Sequence, residues 1–194
     1  EKNGVKVSWK IADGADGYSI YRRPLSSDTW TKAGTVKSDA SSFLDTGLLS
    51  GTQYVYAVTP IINNSEGAKI ESSVIYFIKA PDNVSATNEI DGIKVTWNRV
   101  GGAVSYTVFR KDSFGNVEQI GVVEGNDNVS FADTDVQDGV TYTYTVIAVN
   151  ALGESKFSED SNSLYRWNEP VPATPELYEG GIRVTWSAKS NAEK

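Results

Sequence analysis

The phrase GVKVSW at 4–9 returns as GIKVTW at 92–97 and again as GIRVTW at 181–186, in steps of 88 and 89 residues. A step of that length is the size of a domain. The 194-residue chain is therefore too long for one period and too short for three. The likeness runs on past the phrase. WKIADGADGYSIYRR at 9–23 matches WNRVGGAVSYTVFRK at 97–111, and FLDTGLLSGTQYVYAV at 43–58 matches FADTDVQDGVTYTYTV at 131–146. Trp9 precedes Tyr54 by 45 residues, and Trp97 precedes Tyr142 by the same 45. Repetition on this scale has to be settled before any fold is assigned.

Alternation supplies the secondary structure. Val5, Val7 and Trp9 share one parity with Lys6 and Ser8 between them; Tyr54, Tyr56 and Val58 alternate likewise, as do Tyr142, Tyr144 and Val146. A period of two over five to eight residues marks half-buried strands. No long helical period occurs, so the pattern predicts an all-β chain of antiparallel sandwiches. Asn3-Gly4, Asp91-Gly92 and Gly180-Gly181 precede the three phrases. Such pairs are suited to the positive φ of a two-residue hairpin turn, which predicts that each phrase is the second arm of a hairpin. The first arms fall near 84–90 and 174–179, while only Glu1 and Lys2 precede the first pair. The chain, which opens without Met, is expected to be a piece of a longer one. A unit of about 90 residues supports one modest core, to which aromatic side chains contribute much of the burial.

A Trp on the second strand, then GYSIYR at 17–22 and GTQYVYAV at 51–58, resembles the fibronectin type III module. The second copy carries the matching SYTVFR at 105–110 and GVTYTYTV at 139–146. The links from Gly14 to Tyr18 and from Gly102 to Tyr106 are similar to versions found in bacterial surface and secreted proteins. The resemblance implies immunoglobulin-like sandwiches of seven strands. It implies a structural core built on Trp9, Trp97, Tyr54 and Tyr142, with each of these Trp packing across the sandwich. The two Tyr are expected to form tyrosine corners, with Gly51 and Gly139 allowing the chain to turn beneath the rings. The expected divisions are a first repeat at 1–80 lacking most of its first strand, a complete repeat at 81–168, and a linker with the first hairpin of a third repeat at 169–194. The three prolines within RWNEPVPATP at 166–175 favour a semi-rigid, extended linker.

Composition narrows the function. There is no Cys and no His, which removes disulfides, the common nucleophile–imidazole pairs and the common zinc sites. The net charge of −7 is concentrated in residues 81–168, which alone carry −7, against +1 for 1–80 and −1 for the tail. An acidic surface argues against nucleic acid. No apolar run reaches the length of a membrane span, so no membrane insertion is expected.

Few residues invite a chemical reading. DTDVQDG at 133–139 faintly resembles a calcium loop, but Gln137 stands at its fifth position and its glycine comes one residue late. Repeat one has DTGLLSG there, which reads as a turn. The loops NNSEGA at 63–68 and NALGES at 150–155 lack Arg-Gly-Asp and read as polar turns. Asn63, Asn83 and Asn128 head Asn-x-Ser sequons, which matter only in a eukaryotic secretory host. Trp30, expected in a short edge strand, and Trp167, at a joint, are candidate carbohydrate contacts, with packing as the plainer explanation.

The expectation is a non-enzymatic spacer and interaction segment of an extracellular or cell-surface protein, needing no cofactor. Its partners would be neighbouring domains of the same polypeptide, and proteins or polysaccharides at the cell surface. The alternative is a carbohydrate-binding accessory module. Head-to-tail self-association through 174–186 is a further expectation, because repeat one offers a sheet edge to which that strand could add.

Overall fold

The computed structural model describes residues 3–167 and 175–186. Every regular element among them is a strand. In chain order the first group is β1 (Val5–Ser8), β2 (Gly17–Pro24), β3 (Thr31–Lys37), β4 (Ser42–Asp45), β5 (Thr52–Ile62), β6 (Ser65–Glu66), β7 (Ile70–Glu71) and β8 (Ile75–Phe77). The second is β9 (Ser85–Glu89), β10 (Gly92–Thr96), β11 (Ser105–Asp112), β12 (Val117–Glu124), β13 (Ser130–Asp133), β14 (Thr141–Asn150), β15 (Gly153–Glu154) and β16 (Leu164–Tyr165). A last hairpin joins β17 (Glu176–Tyr178) to β18 (Gly181–Arg183). All pairings are antiparallel.

Each group makes two facing sheets. In the first, β1 pairs with β4, while β2 lies between β3 and β5, and the short pieces β6, β7 and β8 line the other edge of β5. In the second, β10 lies between β13 and β9, while β11 lies between β12 and β14, with β15 and β16 beyond. The seventh strand implied by the resemblance is thus present only in pieces. Both groups bulge at the same place, between Ile20 and Tyr21 and between Val108 and Phe109.

Between the sheets the alternating side chains meet. Tyr18, Ile20, Tyr54 and Tyr56 form one core with Val5 and Phe77. Tyr106, Val108, Tyr142, Tyr144 and Val146 form the other with Ile93, Val95 and Trp97. Trp97 is 4% exposed, whereas Trp9 is only partly buried against its core. Each indole packs tilted on the same partner, Trp9 on Tyr18 and Trp97 on Tyr106, both at 5.3 Å between ring centroids. The difference in burial follows from β9, which lies beside β10 and brings Ala86 and the neighbouring Val84 onto the second core. No described strand flanks β1 on that side. A groove of about 400 Å³ lined by Trp9, Tyr18, Tyr56, Val58, Pro60 and Ile70 opens there instead.

The hairpin expectation needs correcting in its chemistry. β9 and β10 close with Glu89 opposite Gly92, so the two turn residues are Ile90 and Asp91, and neither they nor Gly92 has positive φ. Gly4 likewise lacks a positive φ. Of the three sites, the positive-φ turn occurs at the third, at Glu179 (37°) and Gly180 (84°). Gly4 and Gly92 are glycines for another reason. A Cβ on either would overlap the backbone oxygen of Asp45 or Asp133 on the neighbouring strand. At Gly181 the nearest atom to such a Cβ is 3.7 Å away, on the hairpin's own Tyr178.

Candidate functional site

The Asp133 cluster is a structural network. Arg110 Nη1 donates to both carboxylate oxygens of Asp133 at 3.1 Å, Tyr144 Oη donates to Asp133 Oδ2 at 2.9 Å, and the Asp135 N–H donates to Oδ1 at 3.2 Å. Arg110 also binds Glu118 Oε2 at 2.9 Å. The first sandwich repeats the arrangement. Arg22 Nη1 donates to Asp45 at 2.6 and 2.8 Å, Tyr56 Oη at 2.9 Å and the Gly47 N–H at 3.1 Å. Both aspartates are 3% exposed. A buried carboxylate needs such partners, because its charge is costly without them. Burial, reinforced by the adjacent carboxylate, pushes both Tyr56 and Tyr144 well above the usual tyrosine range. These side chains are committed to one another. Among the described residues no acidic, Cys or His group has the arrangement of a metal site.

The tyrosine-corner positions have matching geometry. The Leu49 N–H donates to Tyr54 Oη at 3.0 Å and the Gln137 N–H to Tyr142 Oη at 3.1 Å. Tyr54 and Tyr142 are 3% and 6% exposed. Gly51 and Gly139, with φ of 79° and 84°, turn the chain just before β5 and β14. Tyr18 and Tyr106 act similarly one loop away, accepting from the N–H of Ala12 at 2.8 Å and of Val100 at 2.9 Å.

The aromatic candidates lie apart. Trp30 is partly buried just before β3, rather than within an edge strand, because β3 begins at Thr31. The Arg23 guanidinium lies 5.2 Å from the centre of its ring. Beside it on the outer face of β2, Tyr21 has the Lys69 ammonium 4.4 Å from its ring centre and donates to Glu66 at 2.7 Å. Trp167 is 49% exposed. It directly follows Arg166, a buried side chain whose Nη1 donates to Glu89 O and Gly92 O at 2.8 and 2.9 Å. Residues 168–174 of the proline-rich linker lie outside the described residues. On β17–β18 and just beyond, Leu177, Ile182 and Trp186 are 91%, 70% and 65% exposed.

Two arrangements go beyond the sequence reading. The first is a serine ladder at the edge of β14. Ser155, Ser158 and Ser161 donate their N–H groups to Ala148 O, Val146 O and Tyr144 O. Their Oγ atoms accept from the N–H groups of the same three residues at 2.9, 2.9 and 3.0 Å. The spacing S-x-x-S-x-x-S was its signal. The second lies between the sandwiches. Gly51 meets Gly102, Asn150 Nδ2 donates to Tyr76 Oη and to Gly102 O, and Ile78 is buried in the second core. The 150–155 loop, read above as a plain polar turn, is half of this contact.

No family model matches the chain. Segments of three curated proteins are similar to it. Amylopullulanase of Thermoanaerobacterium saccharolyticum is 31% identical over 43% of this chain. Tenascin-N of Homo sapiens is 28% identical over 93%, and amylopullulanase of Thermoanaerobacter thermohydrosulfuricus is 26% identical over 76%. The chain spans only 6%, 14% and 10% of their respective lengths. Among solved structures, a two-domain fibronectin type III segment of chicken tenascin matches 86% of this chain and 95% of its own, at 18% identity and a TM-score of 0.46. Three domains of chicken CNTN1 match 100% of this chain and 74% of theirs, at 18% identity and a TM-score of 0.43. The repeated strand order, the two Tyr hydroxyls beneath their turns and the aromatic cores give the chain the fold of tandem immunoglobulin-like β-sandwiches of the fibronectin type III kind.

Proposed function

We propose that this chain is a non-catalytic spacer and interaction segment of a larger extracellular or cell-surface protein. Its units would divide at 1–80, 81–168 and 169–194, with neighbouring domains as its first partners. One observation carries the reading: the clusters that could have done chemistry, Arg22–Asp45–Tyr56 and Arg110–Asp133–Tyr144, are consumed by internal hydrogen bonds. Support also comes from the matched curated proteins, each many times longer than the segment matched. No helix among the described residues is long and apolar enough to cross a membrane. Assaying the purified chain for glycoside, ester and peptide hydrolysis tests the proposal, and any turnover that tracks with the protein sinks it.

A second reading, polysaccharide binding, is favoured by the outer face of β2, where Tyr21, Arg23 and Trp30 are grouped, and by two matches named amylopullulanase. Calorimetry with soluble polysaccharides separates the two. Saturable binding lost in Trp30→Ala establishes the second reading, and heat of dilution alone leaves the first. Head-to-tail pairing through 174–186 rests on the exposure of Leu177 and Ile182 and on the side of β1 that no described strand flanks. Sedimentation across a wide concentration range tests it, and a monomer throughout rules it out.

A further inference from the structure

Between the sandwiches two turns from opposite units touch through glycine. Gly51 precedes β5 and Gly102 follows Trp97, and both have positive φ, 79° and 81°. A Cβ on Gly51 would stand 2.7 Å from the Gly102 Cα, and a Cβ on Gly102 would collide with the Gly51 Cα in turn. Positive φ alone would account for glycine at each turn. It does not account for the approach. Gly14, the counterpart of Gly102 in the first unit, has φ 75° and nothing within 4 Å of its Cβ position.

Around this contact the chain is fastened from both sides. Tyr76 extends from β8 to pack on the second core, and its Oη accepts from Asn150 Nδ2. The same amide nitrogen donates to Gly102 O at 2.8 Å, so one side chain grips both units. Ile78, 6% exposed, is buried in the second core. The Lys79 N–H returns to Ser50 Oγ at 3.0 Å, and Asp82 accepts from the Asn98 backbone at 2.9 Å and side chain at 2.7 Å. The connection from 76 to 82 is therefore anchored to one unit or the other along its length, with no slack to act as a swivel.

We propose that the Gly51–Gly102 contact sets a single angle between the two sandwiches, and that Tyr76, Asn150 and Ile78 lock it, so that 3–165 turns as one body. This goes beyond the spacer reading, since a spacer with a swivelling joint is still a spacer. Packed elements have discrete arrangements rather than a continuum, so a methyl group at the contact should displace the units rather than compress them.

The chain has no native Cys. Nitroxides at Asp39→Cys and Ser113→Cys, both exposed and one in each unit, therefore report the angle through pulsed dipolar spectroscopy. The expected result is one narrow distance distribution, shifted or broadened by Gly102→Ala and unchanged by Gly14→Ala, which carries the same backbone strain without the contact. A broad distribution in the otherwise unaltered chain overturns the lock, as does a Gly102→Ala distribution identical to it. If Gly102→Ala does not fold, Tyr76→Phe with Asn150→Ala decides. Broadening upholds the lock, and an unchanged narrow distribution overturns it.

Discussion

The two sandwiches share a polar skeleton and differ at their margins. Arg22–Asp45–Tyr56 and Arg110–Asp133–Tyr144 occupy matching places, and Gly4 and Gly92 each make room for the carbonyl of that same aspartate. The indoles differ, Trp97 being enclosed beside β9 while Trp9 borders an open groove. The outer edges differ as well. Val58 pairs with Ile70 through backbone in the first unit, whereas Val146 is met by the Ser158 N–H and hydroxyl in the second. One detail shows why. Gly67 donates to Pro60 O, which has no N–H to offer in return, while at the corresponding place Ala148 has one and Ser155 Oγ accepts it. Interior partnerships are thus held constant, and edges are adjusted donor by donor.

The largest expected effect tests the Trp contrast. Trp97→Ala should cost about 4 kcal/mol in denaturant unfolding, and Trp9→Ala clearly less, because a cavity costs most where the surroundings cannot collapse. Equal losses would break the contrast. The shared skeleton comes next. Asp45→Ala should cost about 3 kcal/mol, since it strands a partly buried guanidinium and a buried hydroxyl, and Asp133→Ala about 2 kcal/mol, since the Tyr144 hydroxyl loses its partner while Arg110 keeps Glu118. A loss confined to one unit would show that the resemblance is only geometric. At the edges, Ser158→Ala should cost about 2 kcal/mol by leaving the Val146 N–H without a partner. Ile70→Ala, at a side chain 73% exposed, should fall within about 0.5 kcal/mol of no effect.

The smallest effect concerns the joint. Lys79 Nζ at 2.6 Å, then Asn98, hold the Asp82 carboxyl below the usual carboxylate range. A lowered folded value means a contribution that is present above the unfolded value of about 3.9 and lost as pH falls through the folded one. Carboxyl-carbon NMR should place the Asp82 midpoint below that value, and Lys79→Ala should raise it. The contribution to stability is small because both groups are about half exposed.

Much of this was legible in the letters. Val5, Val7 and the Tyr54–Val58 alternation predict strands, and the repeated spacing aligns the units. The Arg–Asp–Tyr trios were visible as shared letters, but only strand register brings Arg22 to Asp45. The X-Gly pairs were misread at the first two phrases, because a glycine needed for a neighbour's carbonyl looks identical to one needed for its own dihedral, and at the third the turn lies one residue earlier than Gly180-Gly181, at Glu179-Gly180. Gly51 and Gly102 already had a sufficient local explanation in their turns. Their meeting depends on how two folded units dock, which no local pattern encodes.

The serine ladder has a consequence for crowding. From Ser155 to Ser161 the chain spends three residues for every two of β14, so its outward-facing amides and carbonyls fall out of step with those of any regular strand. A foreign segment arriving along that side would find few consecutive groups to bond, which removes a common nucleus of cross-chain aggregation. Many such units could therefore be strung closely in one polypeptide without adhering along their flanks.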